Sequence, residues 1–165
     1  MSTEAMPIVA GMVSAASQFA NRHGIYAGRR STAVHVRLYR WSGGRIGGHL
    51  PGRPAARILL LEHTGARSGI VRTSPLMYVD AGEAVAIAAS RAGQPRHPGW
   101  YHNLLADPDT TIRIGGELRP VRARVATADE YGPLWRDFVA ATPDFEFYRS
   151  HAAGRDIPIV VLDRR

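Results

Sequence analysis

Two adjacent glycines, Gly115 and Gly116, separate two alternating segments, and this arrangement constrains the fold more than any other part of the chain. On one side Ile112 and Ile114 alternate with polar neighbours in Thr111–Ile114; on the other Val121, Ala123 and Val125 do so within Glu117–Val125. A two-residue glycine link between period-two segments specifies a tight antiparallel hairpin. One face of that hairpin is apolar and the other carries arginines, so a one-sided sheet must close over a core. Pro120 removes a ladder donor, which predicts that the second strand is an edge or bulged strand.

Further strands follow from short apolar runs. Ile58–Leu61 reads as a buried strand, and Val71–Val79 and Ala84–Ala89 as a pair joined by the turn Asp80–Glu83. Ile157–Leu162 is the last. Between them Pro98 opens a helix carrying Trp100, Leu104 and Leu105, stopped at Asp107-Pro108. Thr127 and Glu130 form a capping box, and Tyr131, Leu134, Trp135 and Phe138 make the buried stripe of the helix it starts. A short helix from Thr142-Pro143 ends near Gly154. Six short strands, largely hairpin-joined and interrupted by helices, predict an α+β domain built on a small six-stranded barrel rather than a doubly wound sheet.

Charge is distributed unevenly. Residues 1–57 hold eight arginines against the single acid Glu4, whereas residues 58–165 hold thirteen charges of each sign. Gly43-Gly44, Gly47-Gly48 and Pro51-Gly52 break regular structure, so residues 1–52 read as an N-terminal helical, arginine-rich arm and residues 53–165 as the compact domain. Within the arm, Pro7, Ile8, Met12 and Phe19 fall at helical spacing ahead of Gly24, and a second short helix runs from Ser31-Thr32 to Trp41. Each helix could pack on the domain, or the first could lie on an anionic membrane surface with the arginines beside it. The arm equally suits the polyanionic tail of a ligand. Nucleic acid is the weaker partner, because only Tyr26, Tyr39 and Trp41 lie near these arginines to stack on bases.

The apolar stretch from Pro7 to Ala20 is too short to span a bilayer and has no preceding Lys or Arg. The expected location is therefore cytoplasmic, with peripheral attachment to the inner face of the cell membrane open through the arm. The absence of cysteine excludes disulfides, cysteine-ligated metals and thiolate nucleophiles. Redox chemistry would have to come from a bound cofactor.

The segment His63 to Arg72 holds the first candidate site. Gly65 and Gly69 allow tight turns whose backbone N–H groups can face an anion, and Arg67, Ser68 and Arg72 add charge-assisted hydrogen bonds suited to a phosphate. Taken alone, the loop reads first as a solvated strand connection and second as an anion cradle. It is neither a P-loop nor a dinucleotide fingerprint. A second cluster, Ala88-Ala89-Ser90-Arg91, ends a strand in a small polar turn where a planar ring could approach. Trp100-Tyr101-His102-Asn103 follows directly behind Pro98. His97 and His102 lack helical metal-pair spacing, so no metal site is expected.

In order and spacing these segments resemble the deazaflavin (coenzyme F420)-dependent nitroreductase family. The resemblance rests on Thr64-Gly65-Ala66-Arg67-Ser68-Gly69, Arg72, Pro75-Leu76, Ala89-Ser90 to Gly93, and Pro98-Gly99-Trp100-Tyr101-His102-Asn103-Leu104, and covers roughly residues 37–163. It implies a split β-barrel of the FMN-binding type and a bound coenzyme F420, with FMN as the alternative. It places Ala66, Arg67, Ser68, Gly69 and Arg72 at the phosphate, with Thr73, Ser74, Pro75, Leu76 and Met77 beside them. Ala88, Ala89, Ser90 and Arg91 would lie along the ring, and Trp100, Tyr101, His102 and Asn103 would complete the wall.

The implied activity is hydride transfer from F420H2 to a small-molecule electron acceptor, a quinone-like or other conjugated electrophile, with nitro compounds included. Tyr148 and Ser90 are the candidate catalytic hydroxyls, and Phe145 and Tyr148 the candidate substrate-pocket residues. Three positions depart from the family pattern. Ala66 stands where relatives often carry a cation, Phe145 where several carry a tyrosine, and Ala92 where a glycine is usual. These leave the cofactor site in place and weaken the expectation of nitro-compound reduction. The expected oligomeric state is a monomer or a homodimer.

Overall fold

The structure, a computed structural model, describes residues 29–165. The amphipathic pattern from Pro7 to Phe19 lies outside the described residues. Helix α1 spans Arg29–Ser42 and is followed by a two-residue strand, β1 (His49–Leu50). Next come β2 (Arg53–Thr64), β3 (Val71–Ala81) and β4 (Ala84–Ala88), then helix α2 (Gly99–Ala106). The hairpin is β5 (Asp109–Ile114) and β6 (Glu117–Val125), and the chain ends with α3 (Ala128–Ala141), α4 (Asp144–His151) and β7 (Ile159–Arg164).

The strands run in the order β1-β2-β3-β4-β7-β6-β5, and β5 pairs back onto β2. All these pairings are antiparallel, so β2 to β7 form a closed six-stranded barrel. Closure removes the open edges that a sheet of this size would otherwise present. One edge of β2 is divided between two partners. Arg53 and Arg57 pair with β1, and Leu60 to Glu62 pair with β5.

Three apolar clusters explain why some strands read as continuous hydrophobic runs. Leu59 and Leu61 face the barrel interior with Ile87, Ile112, Val121 and Leu162. Ile58 and Leu60 face outward under α1, against Val36 and Tyr39. Strand β7 is likewise covered on both faces, Val160 and Leu162 inside and Ile159 and Val161 against α3 and α4. A strand buried on both sides loses its alternation.

Helix α1 is fastened by Tyr39, which is 1% exposed. Its hydroxyl donates to the Ile58 carbonyl (3.0 Å) and accepts from the Gly115 amide (2.9 Å). One side chain thus joins α1 to β2 and to the tip of the β5–β6 hairpin. The capping box on α3 is complete, with Thr127 and Glu130 exchanging side-chain and backbone hydrogen bonds.

The expectation for Pro120 needs correcting. Strand β6 is paired on both sides, with β5 and with β7, and is not an edge. Proline is tolerated because its carbonyl accepts from Arg165 N (3.1 Å), so its missing N–H faces the place where the β7 ladder ends. Two boundaries also move. Strand β2 is longer than its apolar centre, because polar residues at its ends continue the pairing with β3. The last strand starts at Ile159 rather than Ile157, since the Ile157 and Pro158 carbonyls are taken by the Tyr131 hydroxyl and the Ala89 amide.

Candidate functional site

A cavity of about 1280 Å³ opens at one end of the barrel, between the β2–β3 loop, the segment after β4 and the start of α2. Its walls include Arg67, Arg72, Arg91 and Arg96, and no Asp or Glu is among the lining residues. Arg67, Arg72 and Arg96 take part in none of the ion pairs among the described residues. Leu76, Ala88 and Trp100 supply an apolar wall. Such a space suits an anionic molecule with a flat apolar body.

The β2–β3 loop is organised by its own backbone. The Gly65 amide donates to the Ile70 carbonyl (2.9 Å), and the Ser68 and Gly69 amides both donate to the Gly65 carbonyl (3.1 and 2.7 Å). Arg72 folds back over the loop and donates to Ser68 Oγ (3.1 Å) and to the Ile70 carbonyl (3.3 Å). A Cβ on Gly65 would lie 2.3 Å from Arg72 Nη1 and 2.5 Å from Ser68 Oγ. A side chain there would have to displace the ends of Arg72 and Ser68 from the positions in which they meet.

A polar chain, exposed at the loop and part-buried where it reaches His63, ties this loop to α2. The Ala66 amide donates to Asn103 Oδ1 (3.0 Å), which fixes the orientation of the Asn103 amide. Its Nδ2 therefore donates to His63 Nδ1 (2.8 Å). His63 is only 6% exposed, and burial, reinforced by the nearby Arg72 charge, lowers its pKa below the usual histidine value. The ring is thus neutral with its proton on Nε2, and it donates to Ser74 Oγ (3.0 Å). The Ser74 hydroxyl hydrogen is left to donate toward the cavity that Ser74 lines.

The opposite wall is a turn of unusual backbone. Arg91, Ala92 and Gly93 follow one another with φ of 46°, 50° and 77°. Two consecutive non-glycine residues in the left-handed region imply local strain held in place by the surroundings. A Cβ at Gly93 would meet the Tyr148 carbonyl oxygen at 2.9 Å, so α4 backs directly onto this turn.

Of the residues singled out from the sequence, Ala66, Arg67, Ser68, Arg72, Ser74, Pro75, Leu76, Ala88, Ser90, Arg91, Trp100, His102 and Asn103 line the cavity together. Gly69, Thr73, Met77, Ala89 and Tyr101 do not. Ser74 and Leu76 face the cavity, whereas Thr73 accepts from Arg40 and Met77 packs in the outer clusters. Ala89 is fully buried in the barrel core. Tyr101 packs against that core beside Trp100 and His97. Phe145 and Tyr148 sit in the cluster beneath α3 and α4, behind the left-handed turn rather than on the cavity wall.

Four lining residues were given no site role from the sequence: Thr32, His63, Arg96 and His97. His63 and His97 each directly flank a glycine- or proline-marked motif, which was the available signal. No cluster of metal-ligating side chains occurs among the described residues.

The sequence model of the F420H(2)-dependent quinone reductases matches residues 31–164. The chain belongs to this family. An F420H(2)-dependent quinone reductase of Mycobacterium tuberculosis is 39% identical over 152 residues, covering 90% of this chain and 98% of the relative. Among solved structures, an F420-H2 dependent reductase (FDR-A) is 34% identical with a TM-score of 0.59, over 64% of this chain and 93% of that one. A second, described as a domain-swapped dimer, is 30% identical with a TM-score of 0.62, over 79% and 95% of the two chains. The family named by the match is the quinone reductases, whereas the sequence motifs had suggested the nitroreductase label. Membership in this F420-dependent family agrees with the donor set of the cavity, which offers cations and hydroxyls to an anion and an apolar wall to a ring.

Proposed function

We propose that this protein binds F420H2 in the cavity at the barrel end and reduces a quinone-like or other conjugated electrophile. One observation carries the reading: four arginines, several hydroxyl donors and an apolar wall converge on a single space lined by no carboxylate. Arg67, Ser68 and Arg72 hold the phosphate through charge-assisted hydrogen bonds. The Ser74 hydroxyl adds a donor, aimed by His63. Ala88, Ser90, Arg91 and Trp100 flank the ring and exclude water from it, and Ser90 offers a hydroxyl near the reacting end.

When bound, the reduced deazaflavin supplies a hydride, and with one proton taken up by the acceptor this completes a two-electron reduction. Tyr148 acts in this reading through the turn it supports. Residues 53–165 form the cofactor-binding domain. Residues 1–52 form an arginine-rich arm whose described part, α1, is fastened to the barrel by Tyr39.

The deciding experiment is titration of the purified protein with F420 and with FMN, followed by fluorescence. Saturable F420 binding, and oxidation of F420H2 by a quinone such as menadione, are expected. Tight FMN binding without detectable F420 binding would overturn the reading. Running nitro compounds in the same assay places them as acceptors or excludes them.

A membrane-facing role for the arm has its own support. Val34, Leu38 and Trp41 form an exposed stripe on α1 with Arg37 beside it, and Trp41 is 81% exposed. An apolar stripe flanked by cations suits an anionic bilayer surface. No helix among the described residues is long and apolar enough to cross a membrane. Sedimentation with phosphatidylglycerol vesicles should fall in a Trp41→Ser, Leu38→Ser variant, and equal sedimentation would remove this role.

A further inference from the structure

Arg155 lies outside the cavity and belongs to none of the motifs, yet its guanidinium is the most heavily engaged polar group near the site. It donates to the carbonyls of Ala89 (3.1 Å), Ser90 (2.8 Å), Gln94 (2.9 Å) and Asp156 (3.0 Å). It also donates to His97 Nδ1 (3.0 Å). Three of those carbonyls belong to the segment containing the left-handed turn at Arg91–Gly93, so one planar fork holds a strained loop against the cavity.

The contact with His97 has a chemical result. A guanidinium only donates, so Nδ1 of His97 must accept, and the ring carries its proton on Nε2. His97 lines the cavity, and among the described residues Nε2 has no hydrogen-bond partner. The charges around the ring agree. Burial, Arg155 and His102 all disfavour an added proton, and Asp156 opposes them. Tyr101 stacks obliquely at 5.0 Å, and Arg91 reaches the His97 carbonyl (3.4 Å).

We infer that Arg155 is a positioning residue that locks His97 as a neutral Nε2–H donor to a conjugated carbonyl oxygen gaining electron density in the site. This inference rests on the proposed cofactor reading. Two sources present such an oxygen, the deazaflavin ring and a quinone acceptor. A neutral donor suits either, because it stabilises developing negative charge without having to lose a proton to do so.

The test has a spectroscopic arm and a kinetic arm. In 15N-histidine-labelled protein without cofactor, long-range 1H–15N correlation at pH 7 should show His97 with unprotonated Nδ1 and protonated Nε2. Arg155→Gln should turn this into a tautomer mixture with a higher pKa. Arg155→Lys should not restore the locked form, because an ammonium cannot span five acceptors. A wild-type His97 protonated on Nδ1, or titrating like a free histidine, would overturn the inference whatever the ligand.

His97→Phe separates the two oxygen sources. A fall in kcat of about tenfold to a hundredfold, with F420 affinity within threefold, assigns the donor to the acceptor. A matching loss of F420 affinity assigns it to the ring. His97→Gln, which keeps an N–H near the same place, should recover part of either loss. If His97→Phe changes neither quantity in an enzyme that binds F420, the donor role is wrong. If the wild-type protein binds no F420 while the locked tautomer is present, the cofactor reading fails and takes the donor role with it, leaving the Arg155 lock standing.

Discussion

Asn103 donates its side-chain amide to His63 Nδ1 at 2.8 Å, across forty residues of sequence, and so ties helix α2 to the end of strand β2. The same side chain receives the Ala66 amide, so Asn103 sets both the loop position and the His63 tautomer. Asn103→Leu should leave the His63 nitrogen and the Ala66 amide unpartnered. We expect F420 affinity to fall by about tenfold, equivalent to about 1.4 kcal/mol. Fluorescence titration checks this, and an unchanged Kd would show that the loop holds its shape without α2.

His63 gives the fold a pH dependence. Its folded pKa is lowered, so below the ordinary histidine value of about 6.5 the unfolded chain binds a proton that the native state resists. Stability therefore falls as pH drops through about 6.5 toward the lower folded value. His63→Gln should lose less Tm than the wild type between pH 7.5 and pH 5.5, measured by thermal denaturation. Equal losses would mean that other groups carry the acid sensitivity.

Arg72 and Gly65 should act as one unit, because the glycine leaves the space the guanidinium crosses. Gly65→Ala pushes Arg72 away from Ser68, and Arg72→Ala removes the cation outright. Both should weaken F420 binding by about tenfold or more, and the double variant should be no weaker than Arg72→Ala alone. Additive losses from the double variant would separate the two roles.

Glu130 caps α3 and pairs with Arg124, whose hydrogen bonds, with that of the Thr127 amide, lower the Glu130 pKa to about 2. A depressed carboxylate contributes stability above its unfolded value of about 4.5 and loses it as pH falls toward 2. Glu130→Gln should therefore lower Tm at pH 7, with the difference shrinking between pH 4.5 and pH 2. A constant difference over that range would assign the effect to packing.

Tyr39→Phe removes one hydroxyl and strands two backbone groups, the Ile58 carbonyl and the Gly115 amide. The expected cost is about 1–3 kcal/mol by urea denaturation, with an unchanged m-value. A neutral result would mean that water reaches the hairpin tip.

The barrel was legible because its strands announce themselves locally. Gly115-Gly116, the alternation around it and the Thr127/Glu130 capping box each act within a few residues and appear where the sequence places them. The β2–β3 loop was legible for the same reason. What stayed hidden depends on long-range closure. Nothing near Pro120 says that β7 will flank β6, and nothing near Arg155 says that its guanidinium will meet carbonyls some sixty residues earlier. Thr73 and Met77 lie off the cavity because Arg40 of α1 engages the one and the outer clusters take the other, contacts that a motif of sequence neighbours does not show. Phe145 and Tyr148 lie behind the turn because α4 covers the outside of the sheet, a placement set by packing rather than by local pattern.

The last strand of the chain is not the last strand of the barrel. β7 is inserted between β4 and β6, and Arg155 lies four residues before its first residue, Ile159. During synthesis the ring therefore stays open until β7 itself leaves the ribosome, with β4 and β6 each exposing an unpaired edge. The hairpin, the β2–β3 loop and α2 can all form earlier, but the wall held by Arg155 cannot. A nascent chain is thus unable to assemble the whole cavity before β7 emerges, and every truncation that removes β7 should yield a protein that aggregates through those two edges rather than a smaller working enzyme.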